Sequence, residues 1–305
     1  GPANSPAMSD GTIRWRSLWD DTASRVGRPQ ARWLCEVASG HDRDDFLAIL
    51  DQPAGHRSVA HLDAMLIRLD AGEPLQYVLG RWGFRKLDLM VDTRVLIPRP
   101  ETETVVEIAL RYARGMARPI VCADLGTGSG AIGLSLAAEL PVEGVTVWMT
   151  DRSADALDVA RANAAGIGRA AANVRMAQGN WFDALPHELA GRLAMVVSNP
   201  PYVSDDDSRL EQIVRAWEPG LALFGGPDGL DDIRHIVHEA ARWLQPGGRL
   251  VLEIGADQGD RVRAMMQAEG FDDVVIAADL TGRDRVAVAR RKPLSGEAGG
   301  DLSQQ

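Results

Sequence analysis

Residues 120–139 read IVCADLGTGSGAIGLSLAAE. The opening run Ile120–Ala123 is apolar and has the length of a buried strand, and Ile132–Glu139 has the composition of a helix. The glycine-rich stretch Asp124–Ala131 between them permits a tight turn and lets a ligand approach the backbone closely. A strand, a glycine turn and a helix in this order predict the first unit of a parallel sheet that binds a ligand at its carboxyl edge.

Strand and helix patterns continue to alternate toward the C terminus. The predicted strands are Val145–Thr150, Val174–Ala177, Ala194–Ser198, Arg249–Ile254, Val274–Ala277 and Val286–Ala289, and the predicted helices are Ala154–Ala165, Leu230–Leu244 and Asp260–Glu269. This alternation predicts an α/β fold with a doubly wound, Rossmann-like sheet. No helical pattern separates the last two strands, so we expect one antiparallel edge strand.

The part of the chain before this region has helical spacing and no strand signal. The apolar residues that share a helical face are Trp15, Leu18 and Trp19, then Phe46, Leu47 and Leu50, then Leu62, Met65, Leu66 and Leu69. From Gly80 to Pro98 the pattern partly alternates, as in a β-hairpin. Pro100, Glu101 and Glu103 then favour the start of a helix, because proline suits the first helical position and acidic residues suit the positive end of the helix dipole.

These changes divide the chain into five segments. We expect a helical domain over 11–79, a β-hairpin linker over 80–98 and a ligand-binding domain over 99–291. The small polar residues 1–10, of which Gly1–Ala7 are typical of a remnant of recombinant expression, and the polar tail 292–305 are expected to lack fixed structure.

Composition limits the classes of function. The chain has 305 residues, two cysteines and a formal net charge of −10. Proteins that grip duplex nucleic acid usually carry a basic face, so we expect no direct nucleic acid binding. The two cysteines, Cys35 and Cys122, lie far apart, so a zinc cluster is not expected; Cys122 lies in an apolar run and is expected to be a buried, reduced thiol. The apolar stretches are far shorter than the roughly 20 residues that span a bilayer, so we expect no membrane span. We further expect the protein to be cytoplasmic and monomeric and to bind no metal.

The glycine turn and the next strand end predict a nucleoside site. Asp151 follows the second strand at the same edge as Gly126–Gly130, and a carboxylate there can accept hydrogen bonds from both ribose hydroxyls. The glycine pattern suits both S-adenosylmethionine and a nicotinamide cofactor, and it does not choose between them. A turn that serves helix packing, and a helix cap at Asp151, are the structural alternatives.

The residues after the fourth strand favour methyl transfer. In Ser198-Asn199-Pro200-Pro201-Tyr202 the two prolines push their neighbours toward extended conformations and stiffen the loop. The Asn199 side-chain oxygen and the Pro200 carbonyl oxygen form a cradle of two acceptors for an NH₂ group, and Tyr202 offers a flat face to a planar amide or base. An ordinary proline turn is the structural alternative.

A planar nitrogen is a poor nucleophile because its lone pair is delocalised. Two acceptors can hold its hydrogens and aim the nitrogen at a sulfonium methyl group, and such positioning can supply up to roughly 7–11 kcal/mol of the barrier. The sequence shows no strong general base near this loop, so we expect the proton to be lost to solvent. An exocyclic adenine amine fits the same cradle, which keeps an adenine-N6 methyltransferase open as an alternative.

The chain resembles the HemK/PrmC family, the release factor N(5)-glutamine methyltransferases, over nearly its whole length. The matching segments are GEPLQYVLG (72–80), LIPRPETE (96–103), DLGTGSGAI (124–132), SNPPYV (198–203), GGPDGLDDIRHI (225–236), PGGRLVLEIG (246–255) and DLTGRDRV (279–286). The resemblance implies a class I methyltransferase sheet and an enzyme that methylates the glutamine amide in the Gly-Gly-Gln motif of class I release factors. It also implies that the N-terminal helical domain helps to dock that partner.

The resemblance, together with the patterns above, assigns residues to roles. S-adenosylmethionine is expected to contact Asp124, Gly126, Thr127, Gly128, Ser129, Gly130, Asp151, Trp181 and Asn199. The glutamine amide is expected to lie against Asn199, Pro200, Pro201 and Tyr202, of which Asn199, Pro200 and Tyr202 serve catalysis. A core role is the alternative for Trp181.

Other candidates have simpler explanations. His235 and His238 have a helical spacing that can hold a metal, but no further ligands accompany them, so a solvated face is favoured. A solvated loop explains Asp205–Asp207, with a place beside the substrate mouth as the alternative. A surface hairpin and a contact with a partner explain Arg283 and Arg285 equally well. The rival functions are a glutamine methyltransferase for a ribosomal protein, a nicotinamide oxidoreductase and a non-catalytic adaptor. The sequence supplies no catalytic residues for the oxidoreductase.

Overall fold

A computed structural model describes residues 11–295, so the expectations for 1–10 and for 296–305 lie outside the described residues. These residues form two compact units that divide between Gly80 and Arg81. Within the described range, no helix has both the length and the apolar character needed to cross a membrane.

The first unit is helical. Its helices are α1 (Trp15–Val26), α2 (Arg28–Ser39), α3 (Arg43–Ala48), α4 (His56–Asp70) and α5 (Leu75–Leu79). The apolar face predicted in α1 is buried, and the rings of Trp15 and Trp19 pack edge-on against Phe46. One detail of the prediction is wrong, because Leu47 is exposed. Helix α3 ends at Ala48, so Leu47 and Leu50 do not share one buried helical face.

The second unit begins with a hairpin of β1 (Arg81–Phe84) and β2 (Leu87–Met90). The hairpin is shorter than predicted. Gly80 ends α5 in a left-handed conformation, and residues 91–98 contain a turn but no strand. The Arg94 backbone amide donates to the Asp92 carboxylate at 3.0 Å. The turn that this bond closes prevents strand β2 from continuing beyond Met90.

The remainder of the second unit alternates between strands and helices. The elements are α6 (Pro100–Arg114), β3 (Ile120–Leu125), α7 (Ala131–Glu139), β4 (Val145–Asp151), α8 (Ala154–Ala165), β5 (Val174–Gln178), β6 (Leu193–Ser198), α9 (Gln212–Trp217), α10 (Asp231–Trp243), β7 (Leu244–Glu253), α11 (Gly259–Ala268), β8 (Asp272–Ala278) and β9 (Asp284–Arg290). Pro100 begins α6 with acidic residues in its first turn, as predicted. Each predicted strand and helix exists, with ends that differ by a few residues.

The sheet has seven strands in the order β5-β4-β3-β6-β7-β9-β8. Strands β3 to β7 pair in parallel, which confirms the doubly wound α/β fold. The predicted antiparallel edge strand is β8, which pairs antiparallel with β9 at one edge of the sheet. Strand β9 pairs with both β7 and β8 and lies one place inside the edge, which β8 occupies. The short β8–β9 connection lets β9 insert between β7 and β8, and the chain order of the strands does not fix this insertion.

The core lies between the sheet and the helices that cover its faces. On one face, the stacked rings of Phe182 and Trp243, 5.7 Å apart between centroids, pack with residues from α10 and α11. Cys35 and Cys122 are both buried and unpaired, as expected for Cys122. This packing fixes the carboxyl ends of β3, β4, β6 and β7 along one edge of the sheet.

Candidate active site

The glycine turn lies at the carboxyl end of β3 and is held by its neighbours. The Thr127 backbone amide donates to the Thr150 carbonyl at 2.8 Å, which ties the turn to the end of β4. Gly126 has φ +67°, and a Cβ there would lie 2.8 Å from the ring of Trp181. Only glycine therefore allows the turn and the tryptophan ring to come this close.

Asp124 supports the turn from behind. Its Oδ2 accepts hydrogen bonds from the Thr127 hydroxyl at 2.6 Å and from the Gly133 backbone amide at 2.8 Å. Its Oδ1 is buried and has no hydrogen-bond partner among the residues that the structure describes. Burial raises the pKa of Asp124 to about 7, because the charged form loses its hydration, and the nearby negative charge of Asp151 adds to the rise.

This raised pKa predicts a pH-dependent stability in the donor-free protein. A carboxyl with a pKa of 3.8 in the unfolded chain and about 7 in the folded protein takes up a proton on folding between these values. Its stabilising contribution is therefore complete below pH 3.8, falls as the pH rises from there, and is lost above about pH 7. Asp124→Asn removes this titration while keeping an oxygen for Thr127 and Gly133. The free energy of unfolding of the wild type, relative to Asp124→Asn, should fall by about 3 kcal/mol between roughly pH 5 and pH 8. Urea unfolding at both pH values measures this difference, and parallel pH curves would contradict it.

Asp151 ends β4 beside the same turn and lines the cavity. Its Oδ2 accepts from the Gly128 backbone amide at 2.9 Å, and its Oδ1 accepts from the Ser153 backbone amide at 2.9 Å. A carboxylate has about four lone-pair sites, so each oxygen keeps room for a second donor such as a ribose hydroxyl. The geometry is compatible with the predicted ribose contact.

Trp181 lies between the core and the cavity, and its contact with S-adenosylmethionine stays a prediction. The residue is half-buried, packs against the core cluster and also lines the cavity. Its φ of +46° is a left-handed value that is costly for a bulky residue. Its carbonyl oxygen accepts from the Thr150 hydroxyl at 3.4 Å. A strained tryptophan held over a glycine turn provides a flat apolar wall for an adenine or a methyl donor.

The loop after β6 starts at the same edge of the sheet. The Ser198 hydroxyl donates to the Leu125 carbonyl at 2.7 Å and so fixes the end of β6 against the end of β3. Asn199 follows directly and lines the cavity. In the described part of the chain, no hydrogen bond uses the Asn199 side chain or the Pro200 carbonyl oxygen. Both predicted acceptors therefore remain available for a ligand.

The cavity gathers most of the predicted site residues. The space between its walls, together with the open solvent at its mouth, is about 1100 Å³. The predicted residues that line it are Gly126, Thr127, Gly128, Ser129, Asp151, Trp181, Asn199 and Pro201. Four predicted residues, Asp124, Gly130, Pro200 and Tyr202, are not in its lining. Of these, Asp124 and Pro200 are buried beside it, and their direct contacts with ligands remain predictions.

Tyr202 occupies a polar environment that the sequence did not reveal. Its hydroxyl donates to Glu253 Oε2 at 3.0 Å and accepts from Arg285 Nη1 at 3.2 Å. Burial raises the pKa of both Tyr202 and Glu253. Glu253 ends β7 just as Asp151 ends β4, so an acidic residue at a strand end was the available signal. The surface-hairpin explanation of Arg285 is wrong, because this side chain is largely buried against Tyr202.

A second unpredicted contact builds one wall of the cavity. Arg99 donates to both carboxylate oxygens of Glu218, at 2.8 and 2.5 Å, and the Ile97 backbone amide donates to Glu218 Oε1 at 3.0 Å. The Glu218 side chain is only 1% exposed, so its charge depends on these partners. The contact joins the segment before α6, which lines the cavity, to Glu218, which directly precedes the lining residue Pro219.

Two of the remaining candidates have structural partners. His238 contacts Glu269 at 3.0 Å, and Glu103 accepts from the Arg85 backbone amide at 2.7 Å. Within residues 11–295, no group of three metal-binding side chains occurs.

The residues of the cavity fit S-adenosylmethionine. Trp181 offers a flat surface for the adenine, and Asp151 has lone pairs left for the ribose. The missing Cβ at Gly126 leaves the space that the Trp181 ring fills beside the backbone. The partnerless Asp124 Oδ1 leaves an unsatisfied polar atom directly behind the turn, and a donor with a positively charged sulfur would favour the ionised form of this carboxyl.

Comparisons with known proteins identify related sequences and folds. Residues 115–217 match the methyltransferase small domain, and residues 23–80 match the PrmC N-terminal domain. The release factor glutamine methyltransferase of Xylella fastidiosa (strain Temecula1 / ATCC 700964) is 42% identical over 266 residues, which are 87% of this chain and 94% of that protein. The protein of the same name from Escherichia coli (strain K12) is 38% identical over 268 residues, 88% of this chain and 94% of that protein.

A solved structure shares the fold at low identity. The crystal structure of the hMettl16 catalytic domain in complex with MAT2A 3'UTR hairpin 1 has a TM-score of 0.53 and 15% identity, and the match covers 73% of this chain and 79% of that chain. At this identity the likeness extends to the fold alone.

Proposed function

The chain belongs to the release factor glutamine methyltransferase family, and we propose from this membership that it methylates class I peptide chain release factors. The methyl group passes from S-adenosylmethionine to the side-chain amide nitrogen of the glutamine in the Gly-Gly-Gln motif. The observation that carries the proposal is the position of Asn199. It lines the cavity that also contains the glycine turn and Asp151, and its amide has no hydrogen-bond partner within residues 11–295.

The chain contributes mainly by holding and orienting the amide. S-adenosylmethionine supplies an electrophilic methyl group on a positively charged sulfur. The Asn199 Oδ1 and the Pro200 carbonyl oxygen accept hydrogen bonds from the amide NH₂ and keep the nitrogen facing that methyl group. Transfer of the methyl group to the nitrogen would leave the donor as S-adenosylhomocysteine, and the nitrogen would lose one proton to solvent. Positioning of this kind can provide most of the rate gain that such a weak nucleophile needs.

The Glu218–Arg99 pair supports this arrangement by shaping the cavity. A glutamine side chain must leave water and enter a confined space beside the donor. Because the pair joins the lining residue Arg99 to Glu218, which precedes the lining residue Pro219, through charged hydrogen bonds, we expect it to hold this wall of the cavity in place.

The partner and the site of action follow from this substrate. The helical unit of residues 11–80, part of which matches the PrmC N-terminal domain, is proposed to dock the release factor. Since release factors act in translation termination, the proposal places the enzyme in the cytoplasm, as a monomer that does not need to bind nucleic acid directly. Sedimentation of the enzyme alone and with release factor measures the stoichiometry.

A labelling experiment tests the substrate. The enzyme and labelled S-adenosylmethionine are incubated separately with a class I release factor, with ribosomal protein and with DNA, and mass spectrometry locates the label. We expect one methyl group on the glutamine of the Gly-Gly-Gln motif. A release factor with glutamate in place of that glutamine is the matched control and should stay unlabelled, because it lacks the amide. Label on adenine, on a ribosomal protein alone, or on no substrate would refute the assignment.

A further inference from the structure

The hydroxyl of Tyr202 lies in the middle of a buried polar network. It donates to Glu253 Oε2 at 3.0 Å and accepts from Arg285 Nη1 at 3.2 Å. The other Glu253 oxygen accepts from the Thr102 hydroxyl at 2.6 Å, and Arg285 Nε donates to Asp279 Oδ2 at 3.3 Å. The network therefore joins Tyr202 to residues near the start of α6, at the end of β7 and around the start of β9.

Burying this network of charged and polar groups costs free energy. Glu253 is only 1% exposed and Thr102 only 4%, and the Asp279 and Arg285 side chains are 4% and 13% exposed. Removing charged groups from water costs several kcal/mol per ion, and apolar residues of similar volume often fill such space with equal or greater stability. A role in stability alone is therefore a weak explanation for a charged network around one hydroxyl.

Tyr202 is also held through its backbone. The Gln258 side-chain NH₂ donates to the Tyr202 carbonyl at 2.9 Å, and Gln258 Oε1 accepts from the Gly255 backbone amide at 2.8 Å. The end of β7 and the segment that follows it thus anchor both ends of the residue, the hydroxyl through Glu253 and the carbonyl through Gln258.

Anchoring Tyr202 determines where the acceptor oxygens of the loop lie. Only Pro200 and Pro201 separate Tyr202 from Asn199, and each proline ring fixes its φ. At its other end the loop is fixed by the bond from the Ser198 hydroxyl to Leu125. A stiff segment held at both ends transmits a displacement of Tyr202 to the Asn199 side chain, and a shift of about 1 Å at a reacting group can cost roughly 100-fold in rate.

On the basis of the proposed function, we propose that Glu253, together with Arg285, is a positioning residue for methyl transfer: by holding the Tyr202 hydroxyl it sets the orientation in which the Asn199–Tyr202 loop presents its oxygens to the glutamine amide. Glu253 touches neither substrate nor donor in this arrangement. It acts through Tyr202.

The first test is Glu253→Gln, which keeps the size of the side chain but replaces one acceptor oxygen by an NH₂ group. Both the Thr102 and the Tyr202 hydroxyls donate to the carboxylate, so the single amide oxygen can no longer serve each of them and the network around the Tyr202 hydroxyl is broken or rearranged. We expect kcat for release factor methylation to fall roughly 30-fold, as for a modest misplacement of the reacting groups, while the Kd for S-adenosylmethionine stays within about twofold of the wild type.

The matched control is Glu139→Gln. Glu139 also has a buried side chain, 4% exposed, that is paired with an arginine, Arg85, but it does not line the cavity. This control should lose thermal stability and keep its kcat.

A double-mutant cycle separates positioning from general damage. If Glu253 acts through Tyr202, then Glu253→Gln should lower kcat much less in a Tyr202→Phe background than in the wild type, because the hydroxyl is already gone. Additive losses in kcat, or a Glu253→Gln enzyme with wild-type kcat, would overturn the proposal.

A third measurement does not depend on the substrate. The chain has three tyrosines, so ring-labelled tyrosine gives a simple NMR spectrum in which Tyr202→Phe identifies the Tyr202 signal. Glu253→Gln should shift that signal and leave those of Tyr77 and Tyr112 in place, whereas an unchanged Tyr202 signal would overturn the positioning role. If the signal shifts but the wild type methylates no release factor, then the proposed function fails and the anchoring of Tyr202 stands.

Discussion

Replacing Asn199 by alanine is expected to lower kcat for release factor methylation by roughly 100- to 1,000-fold, the range observed when a preorganised hydrogen-bonding group is removed from a transition state. Asn199 lines the cavity, and its amide has no hydrogen-bond partner in the described part of the chain, so its oxygen is available to the substrate. Without it, one of the two acceptors that orient the nitrogen is lost. Single-turnover methylation measures the chemical step, and calorimetry measures the donor affinity, which should stay within a few-fold.

Asn199→Asp is the informative companion, because aspartate retains an acceptor oxygen at this position. We expect its kcat to lie between those of the wild type and Asn199→Ala. If Asn199→Ala weakens donor binding as much as it slows turnover, then Asn199 mainly contacts the cofactor or supports the fold.

Replacing Asp151 by alanine is expected to weaken S-adenosylmethionine binding by roughly 100-fold or more, since hydrogen bonds to a charged group contribute about 1.5–3 kcal/mol each and the ribose has two hydroxyls. The same carboxylate also holds the Gly128 amide at 2.9 Å, so its loss loosens the glycine turn as well. The Kd for the donor, measured by calorimetry or by quenching of tryptophan fluorescence, checks this result.

Asp155→Ala is the matched control for Asp151→Ala. Asp155 is an exposed acidic residue in the first turn of α8 and does not line the cavity. It should bind the donor as the wild type does. Equal weakening in both variants would point to a general charge effect and would contradict a specific ribose contact at Asp151.

Most of the fold could be predicted because local patterns report local structure. Apolar runs that end in glycine or acidic residues located each strand of the sheet, and the strand–turn–helix order at Asp124–Ala131 predicted where the ligand would bind. In the site, residues that follow directly on strands, such as Asp151 and Asn199, could be placed at one edge because parallel strands end together there. Tyr202 could be assigned to the loop, but the direction of its hydroxyl could not.

The sequence by itself determined the order of the elements, the carboxyl edge that holds the cavity, and the family, since these depend on residues close together in the chain. Only the tertiary structure decided the insertion of β9 between β7 and β8, and the partners of Tyr202, Glu218 and Glu253. The Arg99–Glu218 contact joins residues 119 positions apart, and the Thr102–Glu253 contact joins residues 151 positions apart. Such pairs form only after the strand order and the helix packing bring distant segments together, and hydrophobic periodicity carries no information about that order.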